Sequence, residues 1–161
     1  MLASDRSVSS VKQNGLGVME ADLLVRMNRE RVRRGKRKLL VDARLAVAAR
    51  GHSQWMAKHG RFQHQGIGGR TFQTRLDKVG YPRCYSAENL ALTNTAEEAV
   101  AMWMKSSGHR KNMLNGKYSR VGIGVVGRYW TVNYAEAMPA MSADGVPGLA
   151  PPTSGALFQN R

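Results

Sequence analysis

Val121-Gly122-Ile123-Gly124-Val125 and Tyr129-Trp130-Thr131-Val132-Asn133-Tyr134 each alternate with a period of two, and Gly127-Arg128 lies between them. That periodicity, in residues that favour strands, with a short glycine-containing connection, predicts a β-hairpin. Immediately upstream, Thr95-Ala96-Glu97-Glu98 has the form of a capping box, with Thr95 as N-cap and Glu98 as the acid that returns to it. The helix so opened carries Ala99, Val100, Met102 and Trp103 and ends near Ser106. His109 to Leu114 suit a further short turn of helix.

Further back the period changes to that of helices. Leu23, Leu24, Met27 and Val32 recur at helical spacing between Gly17 and Arg34, and Gly35 stops that helix. Asp42 is placed to cap a second helix running to His59, on which Leu45, Ala49, His52 and Met56 share a face. Residues 60–94 are Gly-rich and irregular, apart from an amphipathic piece from Thr71 to Val79. Helices flanking a small antiparallel sheet make a layered α+β fold. Three regions follow: a flexible lead-in over 1–16, a domain over 17–138, and a Pro/Gly/Ala/Ser-rich tail over 139–161.

Composition bounds the rest. The 161 residues suit one domain with a real core. Cys84 is the single cysteine, so no intrachain disulfide can form, and an inert thiol is its simplest reading. No apolar run approaches the roughly 20 residues of a membrane span. The N-terminus shows no apolar signal-peptide core. The net charge of +14 is concentrated between Arg26 and Lys38. That run reads either as a solvated helix face and loop or as a non-specific contact for anionic surfaces and polymers. It lacks the interleaved aromatics of a single-strand nucleic-acid platform. There is no G-x-S-x-G, no H-E-x-x-H and no P-loop.

Three short motifs remain: Phe62-Gln63-His64, Ala87-Glu88-Asn89-Leu90-Ala91, and Trp103 through Ser106-Ser107-Gly108-His109. In this order, ahead of a Gly-rich hairpin, they resemble the polar cleft of the CAP superfamily (cysteine-rich secretory proteins, antigen 5 and pathogenesis-related proteins), in its bacterial SCP-domain branch. The likeness extends over about Leu23 to Ala135. It includes Asn28-Arg29-Glu30-Arg31, Gly35, Asp42 to Leu45, and His52-Ser53-Gln54-Trp55-Met56-Ala57, which is similar to an H-S-x-x-M-A segment.

The resemblance implies a three-layer α-β-α sandwich and a cleft formed by His64, Glu88 and His109, with His52, Asn89 and Ser106 at its periphery. It implies an extracellular or cell-envelope setting. Two imidazoles and a carboxylate suit a divalent metal such as zinc. They equally suit an acid–base pair, or hydrogen bonds that fix a Gly-rich segment. Where many eukaryotic relatives carry a second glutamate this chain has Ser106; Ala87 stands for the usual glycine and Ser107 for the usual proline. The reading that follows is a monomeric binding module for a small-molecule, lipid or cell-wall ligand, dependent on metal in one form. The alternatives are a hydrolase using His64, Glu88 and His109, and a basic protein that binds anionic polymers.

Overall fold

Gly122 and Gly124 decide how the layers of this protein meet. The computed structural model describes residues 15–81 and 85–137. Helices α1 (Val18–Val32), α2 (Ala43–His59), α3 (Phe72–Lys78), α4 (Ala96–Lys105) and α5 (Ser107–Leu114) accompany strands β1 (Leu40–Val41), β2 (Ser86–Leu92), β3 (Arg120–Val126) and β4 (Tyr129–Ala135). The sheet order is β1-β3-β4-β2. β3–β4 and β4–β2 pair antiparallel, whereas the two residues of β1 add in parallel to β3. The sheet is therefore antiparallel over its main part and mixed at one edge. Helices cover both faces, which makes the three-layer α-β-α sandwich.

On one face α2 rests directly on strand backbone. A Cβ at Gly122 would stand 2.0 Å from the Leu45 carbonyl carbon, and one at Gly124 would stand 2.3 Å from the Arg50 nitrogen. No side chain fits there, so the glycines of the alternating run face α2 while Val121 and Ile123 face the other layer. Ser53 of α2 exploits the approach: its hydroxyl donates to the Gly124 carbonyl at 2.9 Å and shares a 2.8 Å hydroxyl–hydroxyl bond with Thr131. Asp42 caps α2 by accepting from the Arg44 and Leu45 amides. Gly60, at φ 61°, ends it in a left-handed conformation that favours glycine.

The opposite face carries α1, α4 and α5 over the main core, in which Leu23, Met27, Trp103, Ile123, Trp130 and Tyr134 are buried. A smaller core of Leu45, Ala48, Leu76, Tyr81 and Ala135 lies on the α2 side. The Thr95–Glu98 capping box forms in both directions, with Glu98 N donating to Thr95 Oγ1 and Thr95 N to Glu98.

Several expectations need correction. Residues 60–94 are not all irregular, since Ser86–Leu92 is a strand. Its polar Glu88 and Asn89 are both buried on opposite faces, so no apolar alternation marks it. Val32 and Met102 face solvent, while Arg31 is fully buried. Leu16, placed with the lead-in, packs into the main core. Cys84, residues 1–14 and the tail from 138 onward lie outside the described residues.

Gly124→Ala is expected to destabilise the domain by about 3 kcal/mol or more, at or beyond the upper end of overpacking costs. Gly108→Ala, where a Cβ meets nothing within 4 Å, should be neutral or stabilising. Urea denaturation of the two variants against wild type checks both; similar stabilities would contradict the close contact.

Candidate functional site

β2 is an edge strand, and its alternation distributes the polar motif across the sheet. Glu88 lies opposite Asn133, which in turn lies opposite Gly122, so Glu88 stands on the face that α2 covers. Asn89, one residue on, faces the α4–α5 layer. There its amide donates to the His109 carbonyl at 3.0 Å and to the Tyr134 hydroxyl at 3.3 Å, and accepts from Asn112 at 3.0 Å.

Glu88 is the charged centre. Its side chain is 1% exposed, and both carboxylate oxygens are engaged. His64 Nδ1 donates to Oε1 at 2.9 Å, and Arg75 Nη2 donates to Oε2 at 2.6 Å. Arg75, 12% exposed on its side chain, also donates from Nη1 to the His64 and Arg70 carbonyls. One guanidinium thus holds the buried acid and the loop that carries His64. His64 itself is 57% exposed on its side chain. With Nδ1 committed to Glu88, its Nε2 is the nitrogen left for the cleft.

A cleft of about 410 Å³ lies over this end of β2. Its walls combine His64, Gln65 and Gln73 with Ser86 and Glu88, and Asn112 of α5 closes the far side. Phe72 supplies an apolar patch, and Gln73 donates to the Ser86 hydroxyl at 3.3 Å.

The expected residues divide accordingly. His64 and Glu88 meet directly. His109 approaches from the opposite layer and makes no hydrogen bond to either, although its pKa is lowered first by burial and then by the charge of His64. Its Nδ1 has no hydrogen-bond partner among the described residues. Ser106 sits between α4 and α5 as a cap residue. His52 is a core histidine: its Nε2 donates to the Gln63 carbonyl at 2.9 Å, which ties α2 to the loop before His64.

Among the described residues no three His, Cys, Asp or Glu side chains are gathered to hold a metal ion. His64 and His109 stand near enough for the charge of one to lower the pKa of the other, and Arg75 already supplies the cation that Glu88 takes. Arg75, Gln73 and Asn112 went unseen in sequence because they lie on separate elements. The only local signal for Arg75 was its helix, capped by Thr71.

The basic run is not one surface. Arg31 donates to the carbonyls of Arg37, Met113, Asn115 and Tyr118. Arg26 pairs with Asp22 and Glu97, and Glu30 takes Arg33 and Arg34. Arg26, Arg29, Arg33 and Arg34 line a groove of about 340 Å³ between α1 and α4, while Lys36 and Lys38 are exposed beyond it.

The family model for the cysteine-rich secretory protein family (CAP) matches residues 24–134. The chain is 31% identical over 138 residues to the uncharacterized protein YkwD of Bacillus subtilis (strain 168), across 82% of this chain and 52% of that protein. It is similar in structure to an extracellular protein containing an SCP domain from Bacillus anthracis str. Ames, with a TM-score of 0.70 and 27% identity, covering 85% of this chain and 45% of that one. A cysteine-rich secretory protein from Staphylococcus aureus shares the fold, with a TM-score of 0.64 and 23% identity, over 74% of this chain and 38% of that one. The chain thus spans about half the length of YkwD or less of these relatives.

Arg75→Met strands a buried carboxylate and should cost about 3 kcal/mol, within the range for breaking a buried pair. His64→Ala leaves Glu88 its guanidinium and should cost about 1 kcal/mol. Adding Glu88→Gln to Arg75→Met should recover part of the loss. A double-mutant cycle by urea denaturation reads all three, and additive losses would refute the pairing.

His52 titrates below the usual histidine value, first through burial and then through the Arg75 guanidinium facing it; His64 adds to this, while Glu88 and the Gln63 carbonyl oppose it. A folded pKa below the unfolded one means that the unfolded chain takes up the proton first. The stability concerned is present above about pH 6.5 and lost as pH falls through the folded value. Unfolding free energy should therefore decline below about pH 6.5, and less steeply in His52→Gln. Equal slopes would show that His52 carries none of it.

Proposed function

The chain belongs to the cysteine-rich secretory protein (CAP) family, in its bacterial branch, and from that premise we propose that it is an extracytoplasmic binding module whose ligand enters the His64 cleft. The observation that carries this is the clamp on Glu88. A buried carboxylate held from both sides makes a poor ligand for a metal and a good orienter of an imidazole, so it serves to aim His64 Nε2 at whatever fills the cleft. The amide side chains of Gln65, Gln73 and Asn112 with the hydroxyl of Ser86 favour a polar, hydrogen-bonding ligand over a lipid chain. The extracellular setting of the Bacillus anthracis relative supports placing that ligand at the envelope. Exposed cations of α1 and the following loop would hold the domain near anionic envelope surfaces, weakly and with a strong dependence on salt.

One observation favours a second reading. An imidazole whose Nδ1–H is taken by a carboxylate, with Nε2 directed outward, has the orientation of a general base. A hydrolase on this plan would activate water, because Ser53 is buried in hydrogen bonds to Gly124 and Thr131.

Calorimetric titration of solubilised envelope polymers into wild type and His64→Ala separates these readings. Binding that weakens at least about tenfold in His64→Ala (about 1.4 kcal/mol), with no turnover and no response to zinc, is the expected result. Polymer cleavage that stops in His64→Ala would favour the hydrolase. Equal binding by both proteins would remove the ligand from the cleft.

A further inference from the structure

The register of β2 carries an inference that rests on the cleft reading and names its ligand class. Opposite residues in an antiparallel pair alternate between those that exchange backbone hydrogen bonds and those that do not. The register Glu88↔Asn133 extends to Tyr85↔Glu136 and Thr93↔Arg128 at its two ends. Both end pairs are bonded: Glu136 N donates to Tyr85 O at 2.9 Å, and Thr93 N to Arg128 O at 3.0 Å. The bonded residues of β2 are therefore the odd ones, Ala87, Asn89 and Ala91. Ser86, Glu88 and Leu90 direct their N–H and C=O groups away from β4, toward the free edge of the sheet.

One outward group verifies the phase. The Leu90 carbonyl accepts the Trp103 indole N–H at 2.8 Å, so α4 seals the edge at that point. Among the described residues no backbone hydrogen bond closes the next part. Neither Ser86 nor Glu88 gives its backbone N–H or C=O to a partner outside the ladder, and both residues line the cleft. Glu88 keeps 5% exposure as a residue but 1% on its side chain, so the part of it that meets the cleft is mainly backbone. Open strand edges are ordinarily blunted or covered. Here the covering stops at the cleft.

We propose that the cleft takes an extended peptide from another protein, which pairs with the Ser86–Glu88 edge as an added strand. Backbone hydrogen bonds would supply affinity in this mode, and alternate side chains specificity. The open stretch between Tyr85 and Leu90 suits about three or four residues at a rise of about 3.3 Å each. Alternate side chains of the peptide would fall to the two sides of the edge, one set toward His64 and Gln73 and the other toward Asn112. With a chain charge of +14, an acidic side chain toward His64 is the complementary choice.

The test uses amide NMR on the whole chain with the probe acetyl-Ala-Glu-Ala-Glu-amide. In the free protein the Ser86 and Glu88 amides should exchange with solvent at least about tenfold faster than those of Ala87 and Asn89. Equal protection would mean that the edge is closed, and overturns the proposal. On titration the Ser86 and Glu88 amides should shift and gain protection. Two isomers of the probe, N-methylated at alternate residues and equal in charge, should differ at least about tenfold in affinity, since only one set of amides faces β2. Equal affinity of the isomers would reduce the binding to charge alone and overturn pairing. Movement of the His64 ring signals without movement of the Ser86 and Glu88 amides would overturn pairing and leave the cleft reading standing. A still His64 ring, with this probe and with envelope polymers, would defeat both. Peptide-independent shifts that grow with protein concentration would assign the edge to a second copy of this chain instead.

Discussion

The contact of α2 with the bare backbone at Gly122 and Gly124 is the constraint on which the other features depend. Because the helix sits at backbone distance, Ser53 reaches into the sheet to satisfy the Gly124 carbonyl and Thr131. The same approach fixes the level of His52, whose bond to Gln63 fixes the loop after the helix. That loop delivers His64 to Glu88. An added methyl group on either glycine would lift the helix and move the whole chain of contacts that ends at the cleft, because close-packed interiors transmit displacements of this size.

A second constraint is electrostatic. Glu88 is an anion with almost no solvent, and such a group is tolerated only when both oxygens are satisfied. Arg75 does most of this, and in doing so it joins α3, the Arg70 turn and the His64 loop to the edge of the sheet. The Gly-rich segment between α2 and β2 has little regular structure of its own, so its order comes from these charge-assisted bonds. The cleft is shaped by the residues that keep Glu88 neutralised, which is why a metal would compete with the fold for the same carboxylate.

The excess of positive charge has two destinations. Arg31 is internal and uses its guanidinium to gather four carbonyls from the ends of α1 and α5 and the loop that follows. Acids on α1 and α4 take up Arg26, Arg33 and Arg34. Exposed pairs of this kind contribute little to stability, and they leave a weaker field than the composition suggests.

What the sequence determined by itself was the set of local elements with strong periodicity or explicit caps. Asp42 and the Thr95–Glu98 box start α2 and α4, Gly60 ends α2, and the two period-two runs around Gly127 form the hairpin. His64 and Glu88 were legible as partners only because their motifs resemble those of a family. Tertiary structure alone decided the rest. β2 became a strand because β4 offered it a ladder and two helical layers buried Glu88 and Asn89 on opposite sides, a pattern with no one-dimensional signal. The His109 carbonyl bonds to Asn89 while His64 bonds to Glu88, because consecutive strand positions face opposite layers. Arg75 entered the site because a buried carboxylate requires a cation, and the chain met that need from an element 13 residues away.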